Sequence, residues 1–397
     1  MTGLATVVWD DTLAKYDFGP GHPLAPIRVQ LAMMLAIDLG LIQRENVTVV
    51  TPDVIDDELL LTVHDAEFVR AVRAASVDAA QVDIVRGLGT PDVPTFLGMH
   101  EAARAVCGAT LAATRAVHEG RSLHAVNLAG GLHHSMPGAA SGFCVYNDIA
   151  VSIQHLLDHG VERVAYIDVD VHHGDGVQAA FWDDPRVLTI SLHESGRSLF
   201  PGTGFPTEIG GSSALGYSVN VALPPGTGDN DWLRAFHGVV PQLLESFQPD
   251  FLFTQQGCDS HAEDPLAHLE LSVDGQRETY ATLHQLAHTY ADGRWVAVGG
   301  GGYSWVDVVP RAWSHLIAEV VDAAVDPATR IPESWRDMVA GRLGVTPPRV
   351  MTDGISPNVR RWDLGYDPAS PIDAAVLRTR EAVYPWHGLS ADPYHGF

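Results

Sequence analysis

The sequence predicts one α/β domain in which helices cover both faces of a parallel sheet. Segments with helical periodicity lie at 98–119, 147–159, 231–247 and 276–292. Short apolar runs bounded by Gly, Asp or Pro alternate with them, at 163–171, 186–192, 250–256 and 294–298. Alternation at this spacing is typical of parallel sheets. The composition, with 46% hydrophobic and 18% charged residues, is that of a folded globular protein.

The two ends of the chain show less regular alternation of strands and helices. Residues 1–95 combine short strands with a helix at 27–39. Proline recurs from about residue 327, so we expect this part to wrap over the domain surface without a core of its own. Because no linker interrupts the chain, we predict a domain over 1–320 and a Pro-rich extension over 321–397 that packs on it.

Composition excludes several classes of function. The net charge of −25 argues against a non-specific nucleic-acid binder and against binding to an anionic membrane surface. The sequence contains neither a signal-peptide pattern nor an apolar run of about 18 residues. The cysteines Cys107, Cys144 and Cys258 lack CxxC spacing. We therefore expect a cytoplasmic protein that binds neither nucleic acid nor membrane. Lys15 is the single lysine, which excludes a phosphate-binding P-loop.

Asp168, Asp170 and His172 lie on one strand-like run, within YIDVDVHHGDG (166–176). Side chains alternate along a strand, so these three share a face, and an Asp and a His two residues apart lie about 6.6 Å apart along the backbone. Both can then reach one cation, and a carboxylate with an imidazole suits zinc, iron or cobalt. The alternative is a hydrogen-bond network of Asp and His near a loop.

Two further groups follow other apolar runs. His133 and His134, in GGLHHS (130–135), can act side by side as proton carriers, each oriented by an acid such as Asp168 or Asp175. A chance pair is the alternative in a chain with 20 histidines. Asp259, in QQGCDSH (255–261), can supply a third metal ligand and leave a fourth position open for water.

Four glycines, 299–302, precede Tyr303. They let the backbone approach a pocket and aim the tyrosine into it, where its hydroxyl can donate to an oxyanion. The alternative is a buried aromatic beside a flexible turn. The pattern is not GxGxxG, so a dinucleotide site is poorly supported. All four groups lie at the carboxyl ends of predicted strands, where ligands bind on a parallel sheet. Together they supply metal ligands, a paired base and acid, and an oxyanion donor, and this set predicts metal-assisted hydrolysis of an amide.

Five motifs occur in the order found in one known family: GGLHHSMPGAASGFCVYND (130–148), YIDVDVHHGDG (166–176), SLHESGRSLFPGTG (191–204), QQGCDSHAEDPLAHL (255–269) and GGGGY (299–303). Over residues 10–320 the chain resembles the zinc-dependent histone deacetylase family, and within it the bacterial acetoin-utilization deacetylases. The resemblance implies the single-domain arginase/deacetylase fold, with a central parallel sheet of about eight strands flanked by helices. It also implies that residues 1–320 form a catalytic domain that hydrolyses N-acetyl-lysine amides to acetate and lysine.

The resemblance assigns roles to the candidate residues. The implied zinc ligands are Asp170, His172 and Asp259. Iron(II) is the alternative metal. His134, oriented by Asp175, is the implied general base and then acid, whereas His133, backed by Asp168, acts more electrostatically. Tyr303 matches the tyrosine that polarises the carbonyl together with zinc.

Two further sets of residues carry over from the family. For the substrate channel, the resemblance implies that Asp92 binds the substrate backbone and that Gly142, Phe143 and Phe200 surround the acyl-lysine stem. It places Leu266 at the rim of the channel and Arg28 at the acetate-exit pocket. The family also binds a structural potassium ion, and the residues that match its site are Asp168, Asp170, His172, Ser191 and Leu192.

Further residues of the sequence bear on the choice of substrate and on alternative functions. Leu132 stands where the family often has Trp, which changes the shape of the exit pocket, and Leu266 argues against the polyamine-deacetylase branch. A two-metal ureohydrolase needs a D-x-D-x-x-D segment, which the sequence lacks. A non-catalytic binder of acyl-lysine or a metabolite would not need Tyr303. The branch suggests an acetylated protein as partner, such as acetyl-CoA synthetase; an acetylated small-molecule amine is the alternative substrate.

Overall fold

The computed structural model describes residues 4–392. The strands in this range are β1 (Ala5–Val8), β2 (Val47–Val50), β3 (His124–Asn127), β4 (Val164–Asp168), β5 (Val187–Glu194), β6 (Ser218–Leu223), β7 (Phe251–Gln255) and β8 (Trp295–Val298). They form one sheet in the spatial order β2-β1-β3-β8-β7-β4-β5-β6, and every neighbouring pair is parallel. The predicted parallel α/β sheet is confirmed.

Helices cover both faces of this sheet. They are α1 (Ile27–Asp38), α2 (Asp57–Leu60), α3 (Ala66–Val77), α4 (Met99–His118), α5 (Asp148–Asp158), α6 (Asp175–Ala180), α7 (Asp229–Phe247), α8 (Val273–Tyr290), α9 (Val309–Val320), α10 (Glu333–Leu343) and α11 (Pro371–Val383). One buried apolar cluster joins the sheet to α1, α7, α8 and α9, and a second joins the opposite face to α3, α4 and α5. Among residues 4–392, none of the helices combines the length and apolarity needed to cross a bilayer.

Local interactions set the ends of the elements near the site. Helix α8 begins at Val273, before the predicted start at 276, because the Ser272 hydroxyl caps it by accepting from the Gly275 N–H at 3.2 Å. The predicted strand 163–171 ends at Asp168. Beyond that residue the Asp170 and Val171 N–H groups donate to side-chain carboxylates, at 3.2 and 2.9 Å. The chain therefore leaves the sheet where the candidate ligands begin.

The C-terminal part packs along the domain. Helix α11 lies beside the edge strand β6, and the Thr379 hydroxyl donates to the Asn220 carbonyl at 2.6 Å. Apolar residues of α10 pack on α1, where the Trp335 indole N–H donates to the Leu31 carbonyl at 3.0 Å. Pro371 lies at the first turn of α11, where its missing N–H costs nothing. The predicted ranges 1–320 and 321–397 include residues 1–3 and 393–397, which lie outside the described residues.

Candidate active site

A pocket of about 250 Å³ lies beyond the carboxyl ends of β3, β4, β5 and β8. The residues singled out from the sequence that line it are Asp92, His133, His134, Gly142, Phe143, Asp170, His172, Phe200, Leu266 and Tyr303. Arg28, Asp168, Asp175 and Asp259 lie behind this lining and contact it. Ligands bind in this position on open parallel sheets.

The loops after β4 and β7 bring Asp170, His172 and Asp259 together. The His172 Nδ1 lies 3.1 Å from Asp170 Oδ1 and 3.1 Å from Asp259 Oδ2. One potential ligand atom from each of the three residues lies within 4.8 Å of the others, and all three residues are buried. Burial and the Asp170 carboxylate raise the pKa of Asp259 to about 7. Burial opposes charge on His172, but the two carboxylates raise its pKa to about 10.

The second oxygen of each carboxylate is held by the surrounding loops. Asp170 Oδ2 accepts from the Gln255 amide at 2.7 Å and from the Gly301 N–H at 2.8 Å. Asp259 Oδ1 accepts from the Val171 N–H at 2.9 Å. A Cβ on Gly301 would collide with the Asp259 carboxylate, so only glycine lets the backbone approach so closely. The remaining oxygens, on Asp170 and Asp259, are those directed at His172.

The tandem histidines are each backed by a carboxylate. His133 Nδ1 lies 2.7 Å from Asp168 Oδ2, and His134 Nδ1 lies 2.7 Å from Asp175 Oδ1. Because a carboxylate accepts, each Nδ1 carries a proton and donates. The two Nε2 atoms are 3.0 Å apart, which is a separation at which one proton lies between them. The pair can therefore carry protons at the pocket wall.

The two imidazoles differ in their electrostatics. Burial lowers the pKa of His133, but the carboxylates of Asp168 and Asp170 outweigh it and raise the pKa to about 9. Burial and the neighbouring His133 lower the pKa of His134. At neutral pH the arrangement therefore favours a charged His133 and a neutral His134, whose Nε2 lone pair faces the His133 Nε2–H and is the one position of the pair that can take up a further proton.

Tyr303 enters the pocket from the glycine-rich loop after β8. Its backbone N–H donates to Asp264 Oδ2 at 2.7 Å, and its ring contacts Phe143 edge-on at 5.8 Å between centroids. Arg28 fixes the same loop by donating to the carbonyls of Gly300 and Gly302, at 2.9 and 3.0 Å. Burial raises the pKa of the Tyr303 phenol well above its ordinary value, so it remains a proton donor.

The mouth of the pocket is built from the predicted channel residues. Asp92 Oδ2 accepts from the Gly142 N–H at 2.7 Å, which holds the loop that carries Phe143. Phe200 is 45% exposed, and its ring lies 5.0 Å from the His134 ring. Leu266 lines the pocket, with its N–H donating to Asp264 Oδ1 at 3.0 Å. The apolar rim and polar floor fit an extended ligand that has a polar end.

The residues expected around potassium lie together behind the floor. Asp168 pairs with Ser191 across β4 and β5, and Leu192 follows on β5. Asp170 and His172 follow in the loop after β4. Asp168 Oδ2 also accepts from the Tyr166 hydroxyl at 2.6 Å.

Several residues of the site were missed by sequence reasoning. Asp148, which is fully buried, accepts from the Leu132 N–H at 2.8 Å and from the Thr110 hydroxyl at 2.5 Å. It fixes the loop that presents His133. No local pattern links residue 148 to residue 132, whereas Gln255 did offer a signal, as a polar residue ending a buried strand.

Comparisons with known proteins identify the family of the chain. A family model described as "Histone deacetylase domain" matches residues 22–320. The Acetoin utilization protein AcuC of Bacillus subtilis (strain 168) is 42% identical over 330 residues, which cover 83% of this chain and 84% of that protein. AcuC of Staphylococcus aureus (strain MRSA252) is 37% identical over 330 residues, with the same two shares.

Solved structures show the same fold. An HDAC homolog from Aquifex aeolicus superposes with a TM-score of 0.81 at 26% identity, covering 95% of this chain and 100% of that one. An HDAC homolog complexed with SAHA gives a TM-score of 0.81 at 27% identity, covering 95% and 99%. The expected arginase/deacetylase fold, with its eight-stranded sheet over the described residues, is therefore confirmed.

Proposed function

The chain belongs to the histone deacetylase family, and from this premise we propose that it is a zinc-dependent protein lysine deacetylase of the acetoin-utilization type. The observation that carries the proposal is the convergence of three elements on one pocket. These are the Asp170–His172–Asp259 cluster, two carboxylate-backed histidines, and Tyr303.

The donor set fits a divalent cation. Asp170 and Asp259 are buried carboxylates directed at a single imidazole nitrogen, an arrangement that positive charge between them stabilises. Two carboxylates and an imidazole, with room for water, are ligands typical of catalytic zinc, and iron(II) accepts the same set. A bound zinc ion supplies Lewis acidity, which lowers the pKa of water and polarises an acyl carbonyl.

The proton transfers fall to the histidines. His134 accepts the proton of the attacking water at Nε2, and Asp175 stabilises the resulting imidazolium through Nδ1 at 2.7 Å. His133, held charged by Asp168, adds positive potential beside the reacting carbon. The protonated His134 then delivers its proton to the amine nitrogen, because an unprotonated amine is a very poor leaving group.

Tyr303 and the channel residues act on the acyl-lysine itself. The phenol donates to the oxygen of the tetrahedral intermediate, and burial keeps that phenol protonated. Phe143 and Phe200 exclude water from the lysine stem, and Gly142 leaves space between them. Asp92 and Leu266 lie at the mouth, where the substrate backbone passes. Arg28 positions the tyrosine loop, and the family resemblance assigns it to the path on which acetate leaves.

The proposal extends to a structural potassium ion and to the partner. Potassium would be held by Asp168, Asp170, His172, Ser191 and Leu192, where it would fix the strand ends that carry the zinc ligands. The substrate is an acetylated protein of the cytoplasm, such as acetyl-CoA synthetase. The AcuC names of the relatives support this assignment to acetoin metabolism.

Hydrolysis of a fluorogenic acetyl-lysine peptide tests the proposal. We expect turnover that a chelator abolishes and that added zinc restores, together with inhibition by a hydroxamate. An acetylated polyamine serves as the comparison substrate, and we expect at most weak turnover of it. No hydrolysis of acetyl-lysine by the zinc-loaded protein would overturn the assignment.

A further inference from the structure

Three histidines converge at the opposite edge of the sheet from the pocket. His124 is the first residue of β3, and His284 and His288 lie one turn apart on α8. Since the strands are parallel, His124 marks the amino edge, whereas the pocket lies at the carboxyl edge. The ring centroids form a nearly equilateral triangle, with sides of 4.6, 5.0 and 5.0 Å.

The nitrogens that point into this triangle are spaced as metal ligands are. His288 Nε2 lies 3.2 Å from His124 Nε2 and 3.1 Å from His284 Nε2. Tetrahedral zinc, with Zn–N bonds of about 2.0–2.1 Å, separates its ligand nitrogens by roughly 3.3 Å. An ion could therefore enter the triangle with side-chain shifts of only a few tenths of an ångström.

The outer nitrogen of His124 fixes the tautomer that a metal needs, and carboxylates lie beside His284. His124 Nδ1 lies 3.1 Å from the Val320 carbonyl, and His284 Nδ1 lies 3.4 Å from a Glu319 carboxylate oxygen. The Val320 carbonyl can only accept, so His124 Nδ1 carries the proton and His124 Nε2 presents a lone pair to the triangle. Both nitrogens of His284 face carboxylate oxygens at 3.4 Å, which places negative charge around the triangle. When His288 Nε2 is protonated it can donate to only one of its two neighbours, and it becomes a ligand when a metal ion displaces that proton.

Charge and access also favour a cation. His124 is buried, which disfavours a charged ring at this position. Asp322 Oδ1 lies 3.4 Å from His284 Nε2, which adds negative charge beside the triangle. His288 is exposed, so solvent ions can reach the site without unfolding.

We propose that His124, His284 and His288 form a second metal site, which binds a divalent transition metal ion such as zinc through three Nε2 atoms. A fourth position remains beside Asp322 for water or for that carboxylate. The ion would tie the start of β3 to the end of α8 and would stabilise the folded chain by an amount that grows with the logarithm of its concentration over its Kd. This site does not depend on the deacetylase assignment.

Zinc stoichiometry of the untagged protein tests the proposal. After chelation and dialysis against micromolar Zn²⁺, elemental analysis should give two zinc ions for the wild type and one for His288→Gln. His237→Gln, a substitution on α7, is the matched control and should retain two. Asp170→Asn should lose the other ion and keep this one. Equal zinc content in wild type and His288→Gln would overturn the proposal, and His284→Gln repeats the test should His288→Gln fail to fold.

Tryptophan fluorescence supplies a local readout. The Trp295 indole stacks on the His284 ring, with centroids 5.6 Å apart and planes at 21°. In the Asp170→Asn background, cobalt(II) should quench tryptophan emission, and the quenched part should be the part that Trp295→Phe removes. Adding His288→Gln to this background should abolish the quenching. Undiminished quenching in His288→Gln would contradict the site. Acetyl-lysine hydrolysis by His288→Gln should equal that of the wild type, so this test and the deacetylase test fail independently.

Discussion

His134 is the side chain on which the proposed proton transfers depend most. Its Nδ1 donates to Asp175, so in the proposed mechanism its Nε2 is the nitrogen that would accept the water proton. We predict that His134→Ala lowers kcat for an acetyl-lysine peptide by about 10²- to 10⁴-fold, since a positioned general base contributes this much. Zinc content of the same preparation should be unchanged, because His134 is not among the proposed ligands. Activity within twofold of wild type would refute its role.

Tyr303 acts at the transition state in this account. We predict that Tyr303→Phe lowers kcat by about 10²- to 10³-fold and changes KM little, because a donor to the oxyanion is lost while the ring and its packing on Phe143 remain. Tyr290→Phe, at the end of α8, is the control and should match wild type. Steady-state kinetics separate the two parameters, and a rise in KM alone would assign Tyr303 to ground-state binding instead.

Gly301 tests the packing around the proposed zinc ligands. A Cβ at this position would meet the Asp259 carboxylate, so Gly301→Ala should weaken zinc binding and reduce activity in parallel. Gly341→Ala on α10 is the control, since its Cβ would meet no atom within 4 Å. A zinc titration of both apoproteins compares their affinities, and equal affinities would show that the carboxylate is free to move.

Individual functional groups could be predicted from the sequence only where a single motif contains them. His133, His134 and Tyr303 stand out because paired imidazoles and a tyrosine after four glycines each follow a predicted strand. The support from Asp148 and Gln255 depends on chain segments far apart in sequence. Their contacts exist only after the loops have folded, so no spacing rule could reveal them.

At the scale of elements, the buried pair of Arg234 on α7 and Asp373 on α11 fixes the C-terminal extension. The guanidinium donates to both carboxylate oxygens, at 2.6 and 2.7 Å, in a buried position. We predict that Asp373→Ala lowers the free energy of unfolding by about 3–5 kcal/mol, because Arg234 would be left charged and unpaired.

The matched control for this pair is the exposed ion pair of Arg121 with Glu119, at 2.8 Å. Glu119→Ala should change the free energy of unfolding by less than about 1 kcal/mol, because solvent screens exposed pairs. Urea denaturation of the three proteins measures the difference. A comparable small loss for both substitutions would mean that α11 is held by apolar packing alone.

Elements with strong periodicity could be predicted, and their ends could not. Four predicted strands correspond to β4, β5, β7 and β8, and the predicted helix at 98–119 corresponds to α4. The ends shifted where a side chain replaced a backbone partner, as at Ser272 and at Asp168. Helices α10 and α11 were not assigned because prolines recur in that segment, yet Pro332 and Pro371 lie at the starts of these two helices.

At the scale of the whole molecule, strand order explains why distant motifs meet. The sheet places β7 between β8 and β4, so the loops that carry Asp170, Asp259 and Tyr303 emerge side by side. The sequence shows which residues follow strands, but strand order depends on packing of the whole chain. Here the family resemblance supplied what periodicity alone could not. Neither periodicity nor the family resemblance predicted the three histidines at the amino edge of the sheet.

The central claim is that Asp170, His172 and Asp259 jointly hold the catalytic ion. Anomalous diffraction at the zinc absorption edge, from crystals of the zinc-loaded protein, tests it most directly. We predict a strong peak within about 2.0–2.2 Å of a ligand atom from each of the three residues, the distance range of zinc bonds. Full zinc occupancy elsewhere with no peak between these side chains would contradict the account.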